Sequence, residues 1–358
     1  MKIKAKDLFK ENAESCYLIA LTGNEKAVIK GMASFESAGP GDLVVAPTRK
    51  VLEKQKGKKF SAIVIPKELE EDAGQFPKDT AVFVSAAIEL SHALLKQKLG
   101  DHDYSIAGWE KTHPSAIIHE NVKIPASTTI GPGAVIEKGA VLGKNCRIMA
   151  NVVIEHYAVI GNNVIIHPGT IIGWECQIGD DCMIFSNSVI GGEGFGFTQD
   201  QQFNHHRIPH TGNVILGKKV TVGALNTIDR GTYGATTVGD GTIIDNMCHI
   251  AHNVKMGKNC IICAGFLCAG SCIIGDRVVA SGGAMLKDHV NICSDVYLLH
   301  RAGVVQDIKE PGMYAGAPVL PMPKYVKSNA IYAQLDEMRQ KVRELSGQKS
   351  LSNNTTES

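Results

Sequence analysis

A left-handed parallel β-helix of hexapeptide repeats, carrying a small N-terminal α/β domain and a C-terminal α-helix, is the fold this sequence predicts. Three observations predict it. Counting in sixes from Ile118, thirteen successive hexads carry an aliphatic residue on the beat, through Ile136, Ile154 and Ile172 to Ile190. Three more run from Leu216 to Ile228. After a four-residue insertion, twelve run from Val238 to Val304, Cys268 and Ala280 among them. Neither the 3.6-residue helical period nor the two-residue strand period keeps this phase, whereas stacked hexapeptide coils do. The second observation is the residue after the beat, which is repeatedly glycine, as at Gly131, Gly143, Gly161 and Gly179. Such residues tolerate the backbone angles a tight corner demands. The third is a single long break in the beat, residues 191–213, which leaves the coil as a loop.

Three hexads close one coil of 18 residues, so Ile118, Ile136, Ile154, Ile172 and Ile190 form an interior ladder. Nine to ten coils at the usual strand spacing make a prism roughly 45 Å long. A coil cannot bury its own apolar face, so stability comes from stacked neighbours and the ends need caps. The flanking segments supply them. Residues 1–105 lack the beat. Ser61–Ile65 and Ala81–Val84 read as buried strands and Ala86–Gly100 as a helix, making a small α/β domain. A linker covers 106–112, and the solenoid runs from 113 to 312. Pro318, Pro321 and Pro323 mark an extended connector. From Tyr325 to Leu345, Val326, Ile331, Leu335, Met338 and Val342 give an amphipathic helix within the terminal segment 313–347. The polar tail, 348–358, is expected to be disordered.

The net charge of +1 gives no reason to expect a nucleic-acid partner, and no apolar run approaches a transmembrane span. With a charged start at Lys2, Lys4 and Lys6 and no signal-peptide core, the chain reads as cytoplasmic, peripheral attachment at the inner membrane being left open. Ten cysteines are scattered through it. Cys260, Cys263, Cys268 and Cys272 suggest zinc at first sight, but Cys268 falls on the inward beat, so the thiols are read as interior filling and no metal is expected.

With the interior aliphatic, chemistry belongs outside. The loop opens with Gly192-Glu193-Gly194-Phe195-Gly196-Phe197. Long loops on a regular scaffold carry function more often than not, and Phe195 and Phe197 are suited to stacking on a ring or an acyl chain. His205, His206 and His210 in the loop are expected to be solvated. His252 lies two residues after the inward Ile250 and faces outward, with His249 flanking it. Gly270 stands one coil later, leaving room for a reacting carbonyl and aiming an N–H at a developing oxyanion. Imidazole titrates close to neutrality and is the natural general base for an amine or hydroxyl. His289 is two coils and one residue on, about 10 Å along the axis, too far to share one proton with His252.

Thr227-Ile228-Asp229-Arg230-Gly231, Ile243-Ile244-Asp245-Asn246 and Ile250-Ala251-His252-Asn253-Val254 together resemble the UDP-3-O-(3-hydroxyacyl)glucosamine N-acyltransferase family of lipid A biosynthesis. So do the glycine–phenylalanine loop, Ile208-Pro209 and Ala269-Gly270-Ser271. The resemblance covers about residues 113–325. It implies transfer of a 3-hydroxyacyl group from acyl carrier protein to the 2-amino group of UDP-3-O-acylglucosamine, in a homotrimer with sites between prisms. It implies His252 as catalytic base, Gly270 as backbone oxyanion donor and His289 as a second active-site histidine. It also makes Asp245 a candidate to orient the imidazole and Asn246 a substrate contact. No cofactor or covalent intermediate is required. One departure concerns the N-terminal domain. After Ser37–Asp42 the family carries uridine-stacking aromatics, but here the chain reads Leu43-Val44-Val45-Ala46-Pro47-Thr48-Arg49-Lys50. A further expectation is a groove open to a long acyl chain beside Ala302 and Gly303. The rival readings are a sugar acyl- or acetyltransferase using acyl-CoA, a zinc carbonic anhydrase, and a non-catalytic solenoid scaffold.

Overall fold

Between Ile117 and Val304 the chain repeats two-residue strands that pair in parallel, Val135 and Ile136 with Val153 and Ile154, and these with Ile171 and Ile172. The 18-residue offset is the coil length read from the sequence. The computed structural model describes residues 2–53, 58–104, 109, 111–332 and 334–345. Its strands form three sheets of ten, eight and eleven strands, the sides of a parallel β-helix. Beat residues from Ile130 to Val304 are buried in one continuous core. Each such aliphatic side chain contributes about 1.5–3 kcal/mol. The inserted loop lengthens one offset, pairing Gln177 with Ile215, and the four-residue insertion lengthens another, pairing Thr227 with His249.

The glycines after the beat serve a different end from the one expected. Left-handed backbone occurs at other corner residues, such as Asn163, Gly169 and Asn253. Gly143 and Gly179 are glycine because coils stack too closely for a side chain. A Cβ on Gly143 would lie 2.3 Å from the Gly161 carbonyl oxygen, and one on Gly179 2.5 Å from that of Gly217. Corners are further tied by side-chain ladders, in which Asp180 Oδ1 accepts from the Asn162 N–H at 2.8 Å and Asn162 Oδ1 from the Lys144 N–H at 2.9 Å.

The chain divides into two compact units, Met1–Ile106 and Ala107–Ser358. In the first, a five-stranded sheet runs in the order Leu18–Gly23, Ala81–Ser85, Ala62–Pro66, Asp42–Val45, Gly31–Met32, with only the first pair antiparallel. Ala62–Pro66 and Ala81–Ser85 are buried throughout, because apolar clusters cover both faces. Its longest helix is Ile88–Gly100.

At the other end the expected extended connector and single helix give way to two helices, Met322–Tyr332 and Leu335–Leu345. Pro323 falls in a first turn, where its missing N–H costs nothing. The apolar stripe, Val326, Ile331, Leu335, Met338 and Val342, is exposed. The tail 348–358 and linker residues 105–108 and 110 lie outside the described residues. No described helix is long and apolar enough to cross a membrane. All ten cysteines are free, and Cys268 and Cys272 are fully buried in the solenoid.

Candidate active site

His252 follows the strand His249–Ile250, whose isoleucine points into the core. Its Nδ1 lies 3.2 Å from Asn253 Oδ1. That amide is fixed on both sides, since Oδ1 also accepts the Thr232 N–H at 2.9 Å and Nδ2 donates to the Tyr233 carbonyl at 2.7 Å. Oδ1 is therefore an acceptor and His252 Nδ1 the donor, so in the neutral ring the lone pair sits on Nε2, the tautomer a general base needs. Gly270 lies against the same ring. A Cβ there would sit 2.6 Å from His252 Cε1 and 2.7 Å from Nε2. The Gly270 carbonyl accepts from the His289 N–H, and its own N–H donates no hydrogen bond among the described residues. An imidazole lone pair and an unengaged backbone donor thus share one small space.

The loop also reaches this space. Its strands Phe197–Gln199 and His205–Arg207 pair antiparallel, and the chain then returns through His210. Contrary to the expectation of a solvated side chain, His210 is 3% exposed and its ring lies 4.9 Å from that of His252, edge to face. Gly194 and Gly196 make this possible, because a Cβ on Gly194 would come within 2.8 Å of His210 Nε2 and 3.0 Å of His252 Cβ. His210 Nδ1 donates to the Ile208 carbonyl at 2.9 Å, and burial holds its pKa down, so the ring is neutral. Nothing in the local sequence marks it, since only the return of the loop buries it. Phe195 is 86% exposed with Phe197 beside it, ring centroids 5.0 Å apart, and Phe203 is exposed as well.

Arg230 secures the loop. Its Nε donates to the Gly191 carbonyl at 2.8 Å and a terminal nitrogen to that of Gly212 at 2.9 Å, gripping both ends, while the guanidinium lies 3.7 Å over the Trp174 ring. Truncating it leaves a buried and a part-buried carbonyl without this donor, an unsatisfied buried group costing about 1–3 kcal/mol. Arg230→Ala is expected to lower stability by about 3 kcal/mol and to speed protease cleavage within 191–213. Limited proteolysis with chemical denaturation checks this, and a cleavage pattern like the wild type's would refute the clamp.

Beside Arg230, Asp229 is nearly buried, its Oδ2 3.8 Å from His249 Nε2, and no hydrogen bond among the described residues reaches its oxygens. Burial pushes the carboxyl up to about 7. His249 Nδ1 contacts Thr227 Oγ1 at 2.7 Å, and burial, then the charge of His252, pulls its pKa down. An unfolded Asp titrates near 3.9, so the folded state retains a proton that the unfolded state loses. The stability this confers falls as pH rises from about 4 to about 7. Asp229→Asn removes the cost of ionising a desolvated carboxyl, so its melting temperature should exceed the wild type's by a few degrees at pH 8 and match it at pH 4. Thermal melts at the two values decide this.

Other expected site residues stand elsewhere. Asp245 does not face His252. Its Oδ1 accepts from the Asn246 N–H at 2.7 Å and its Oδ2 from the Ala264 N–H at 3.1 Å, because the pair occupies a coil corner. Asn246 Oδ1 is likewise taken by the Ala224 N–H at 2.7 Å. His289 is exposed, with Nδ1 3.0 Å from Asp288 Oδ2. Gly303 packs against Ala317. It is buried, and a Cβ on it would lie 3.0 Å from that of Ala317, so its smallness admits the returning segment 315–319. In the N-terminal unit Arg49 pairs with Asp72 at 3.0 Å.

Residues 112–231 match the family described as GMPPB C-terminal domain, and residues 235–265 the bacterial transferase hexapeptide family. The UDP-3-O-acylglucosamine N-acyltransferase of Methylococcus capsulatus is 45% identical over 319 residues, 89% of this chain and 90% of that protein. The chain belongs to the UDP-3-O-acylglucosamine N-acyltransferase family. It is an acyltransferase. Shorter matches are the Bordetella avium enzyme of that name, 38% identical over 43% of this chain and 44% of that protein, and a probable mitochondrial one of Arabidopsis thaliana, 40% identical over 41% and 48%. A solved Arabidopsis UDP-N-acetylglucosamine acyltransferase superposes with a TM-score of 0.52 over 68% of this chain and 86% of that one. At 22% identity it shares the fold. The packing of His210 on His252 and the Arg230 clamp come from this chain's own geometry.

Proposed function

We propose that this enzyme transfers an (R)-3-hydroxyacyl group from acyl carrier protein to the 2-amino group of UDP-3-O-(3-hydroxyacyl)glucosamine in lipid A biosynthesis, with His252 as general base. The observation that carries the mechanism is the His252–Asn253–Gly270 arrangement: a fixed tautomer with a bare Nε2 beside an uncommitted backbone N–H. The amine attacks the thioester carbonyl as Nε2 takes its proton. The Gly270 N–H stabilises the tetrahedral oxyanion, and the imidazolium returns the proton to the departing thiol. Neither a metal nor a covalent enzyme intermediate enters these steps.

The remaining parts of the reading rest on single features. Phe195 and Phe197 are exposed at the loop tip and suit the acyl donor or a neighbouring prism. The exposed apolar stripe on the two C-terminal helices favours burial in a homotrimer or against the carrier protein. His289, whose N–H donates to the Gly270 carbonyl and whose ring is exposed, suits a different portion of the substrate complex. In the N-terminal unit a cleft lined by Arg49, Lys58, Lys59, Phe60 and Phe76 offers cations and aromatics to a uridine diphosphate, in place of the family's aromatics after Asp42. The test is transfer from 3-hydroxyacyl carrier protein to UDP-3-O-acylglucosamine by wild type, His252→Ala and His289→Ala. Absence of transfer by the wild type, with activity on acyl-CoA instead, would overturn the donor assignment.

A further inference from the structure

The geometry points to Asp229, paired with His249, as the group that binds the acceptor's protonated amine and takes its first proton. This rests on the acyl-transfer reading above and goes beyond it, because general-base catalysis by His252 begins from a neutral amine. An amine of α-amino basicity titrates near about 8, so at neutral pH the acceptor arrives mostly as an ammonium ion. A nucleophile without a lone pair cannot attack, and its charge needs an anionic partner in a site walled by protein.

The candidate carboxylates, Asp245, Glu193 and Asp229, narrow to one. Asp245 spends both oxygens on backbone N–H groups of a corner. Glu193 is held by Arg207 and by the His210 N–H. Asp229 alone of these has oxygens that no described hydrogen bond fills, and a buried carboxyl without partners is costly unless something supplies them. It is not sealed, since its side chain keeps 11% exposure. Its position is also right. It follows the inward Ile228 on the strand stacked directly on His249–Ile250, and Gly192, at the root of the loop, pairs with it on the other side. The titratable and charged neighbours are His249 at 3.8 Å on the next coil, His252 beyond it, His210 and Glu193 from the loop, and Arg230, whose guanidinium turns away to Trp174. Burial brings the Asp229 carboxyl to about 7, close to the amine, which suits reversible proton exchange between them.

The protons balance. The ammonium gives one proton to the Asp229 carboxylate, leaving a neutral amine and a carboxylic acid. The nitrogen lone pair forms the C–N bond at the thioester carbonyl, and the second N–H proton passes to His252 Nε2. Collapse of the tetrahedral intermediate breaks the C–S bond, and the thiolate takes the proton from His252. Asp229 releases its proton to water as the amide product leaves, with His249 beside it.

The experiment measures acceptor KM and kcat for wild type, Asp229→Asn and Asp229→Ser from pH 6 to 9, with calorimetric titration of UDP-3-O-acylglucosamine in the absence of donor. Both variants should raise acceptor KM at least tenfold at pH 7. The deficit should shrink toward pH 9, where the acceptor is already a free amine, and calorimetry should show the same trend in affinity. An unchanged KM at pH 7, or a deficit of equal size at pH 9, would overturn the assignment and leave the acyl-transfer reading standing. A wild type that neither binds nor acylates this acceptor would overturn both.

Discussion

His252→Ala should lower kcat/KM for acyl transfer by 10²–10⁴-fold, the range typical of a removed general base, while the protein melts within a few degrees of the wild type. The imidazole is half-buried at a corner, so truncating it opens little cavity; Ile250, two residues earlier, fills the core and is untouched. The loss should appear in kcat more than in acceptor KM, since Nε2 acts on a proton that moves only in the transition state. A folded His252→Ala protein with full activity would end the general-base mechanism. Because Asn253, whose own amide is held by Thr232 and Tyr233, takes the Nδ1 proton's hydrogen bond at its Oδ1, Nε2 is the nitrogen left to accept a proton in this mechanism.

Gly270→Ala is expected to cost about 10²-fold in kcat/KM although the backbone N–H remains. The added methyl group would fall within 3.0 Å of two ring atoms of His252, closer than side chains tolerate, so the ring must leave its bond to Asn253. A displacement near 1 Å at a reacting group is worth about that factor. The same crowding should lower stability by about 1–3 kcal/mol. A double-mutant cycle separates this from any general weakening of the corner. In a His252→Ala background the clash has no partner, and the stability cost of Gly270→Ala should disappear. Persistence of the cost there would show that the glycine serves backbone stacking alone, as Gly143 and Gly179 do.

The outward direction of His252 and the placing of Gly270 one coil away were legible in the sequence, because a six-residue period leaves no freedom in which way a side chain points or what stacks on it. The loop was legible as a break in that period. Its inner structure was not. His210 reads like the other loop histidines until the hairpin turns it back under Gly194. Arg230 and Asp229 sit where a four-residue insertion and a twenty-residue one change the coil offset, so counting by eighteens does not bring Arg230 to Gly191 and Gly212. Asp245 failed as the imidazole's partner for a related reason. Its side chain bonds locally to corner N–H groups, which a short carboxylate does readily, and Asn253, the next residue after His252, takes the role.

The sequence by itself determined the solenoid, its register and the family, since a repeat of one short strand per hexad makes each coil a template for the next. What only the tertiary structure decided was which polar groups around His252 are already satisfied and which are not. That depends on hydrogen bonds between segments far apart in the chain, the loop's return and the stacked corners, and no local pattern encodes them. A nearly buried carboxyl whose oxygens accept no hydrogen bond among the described residues becomes visible only when every neighbouring donor is in place.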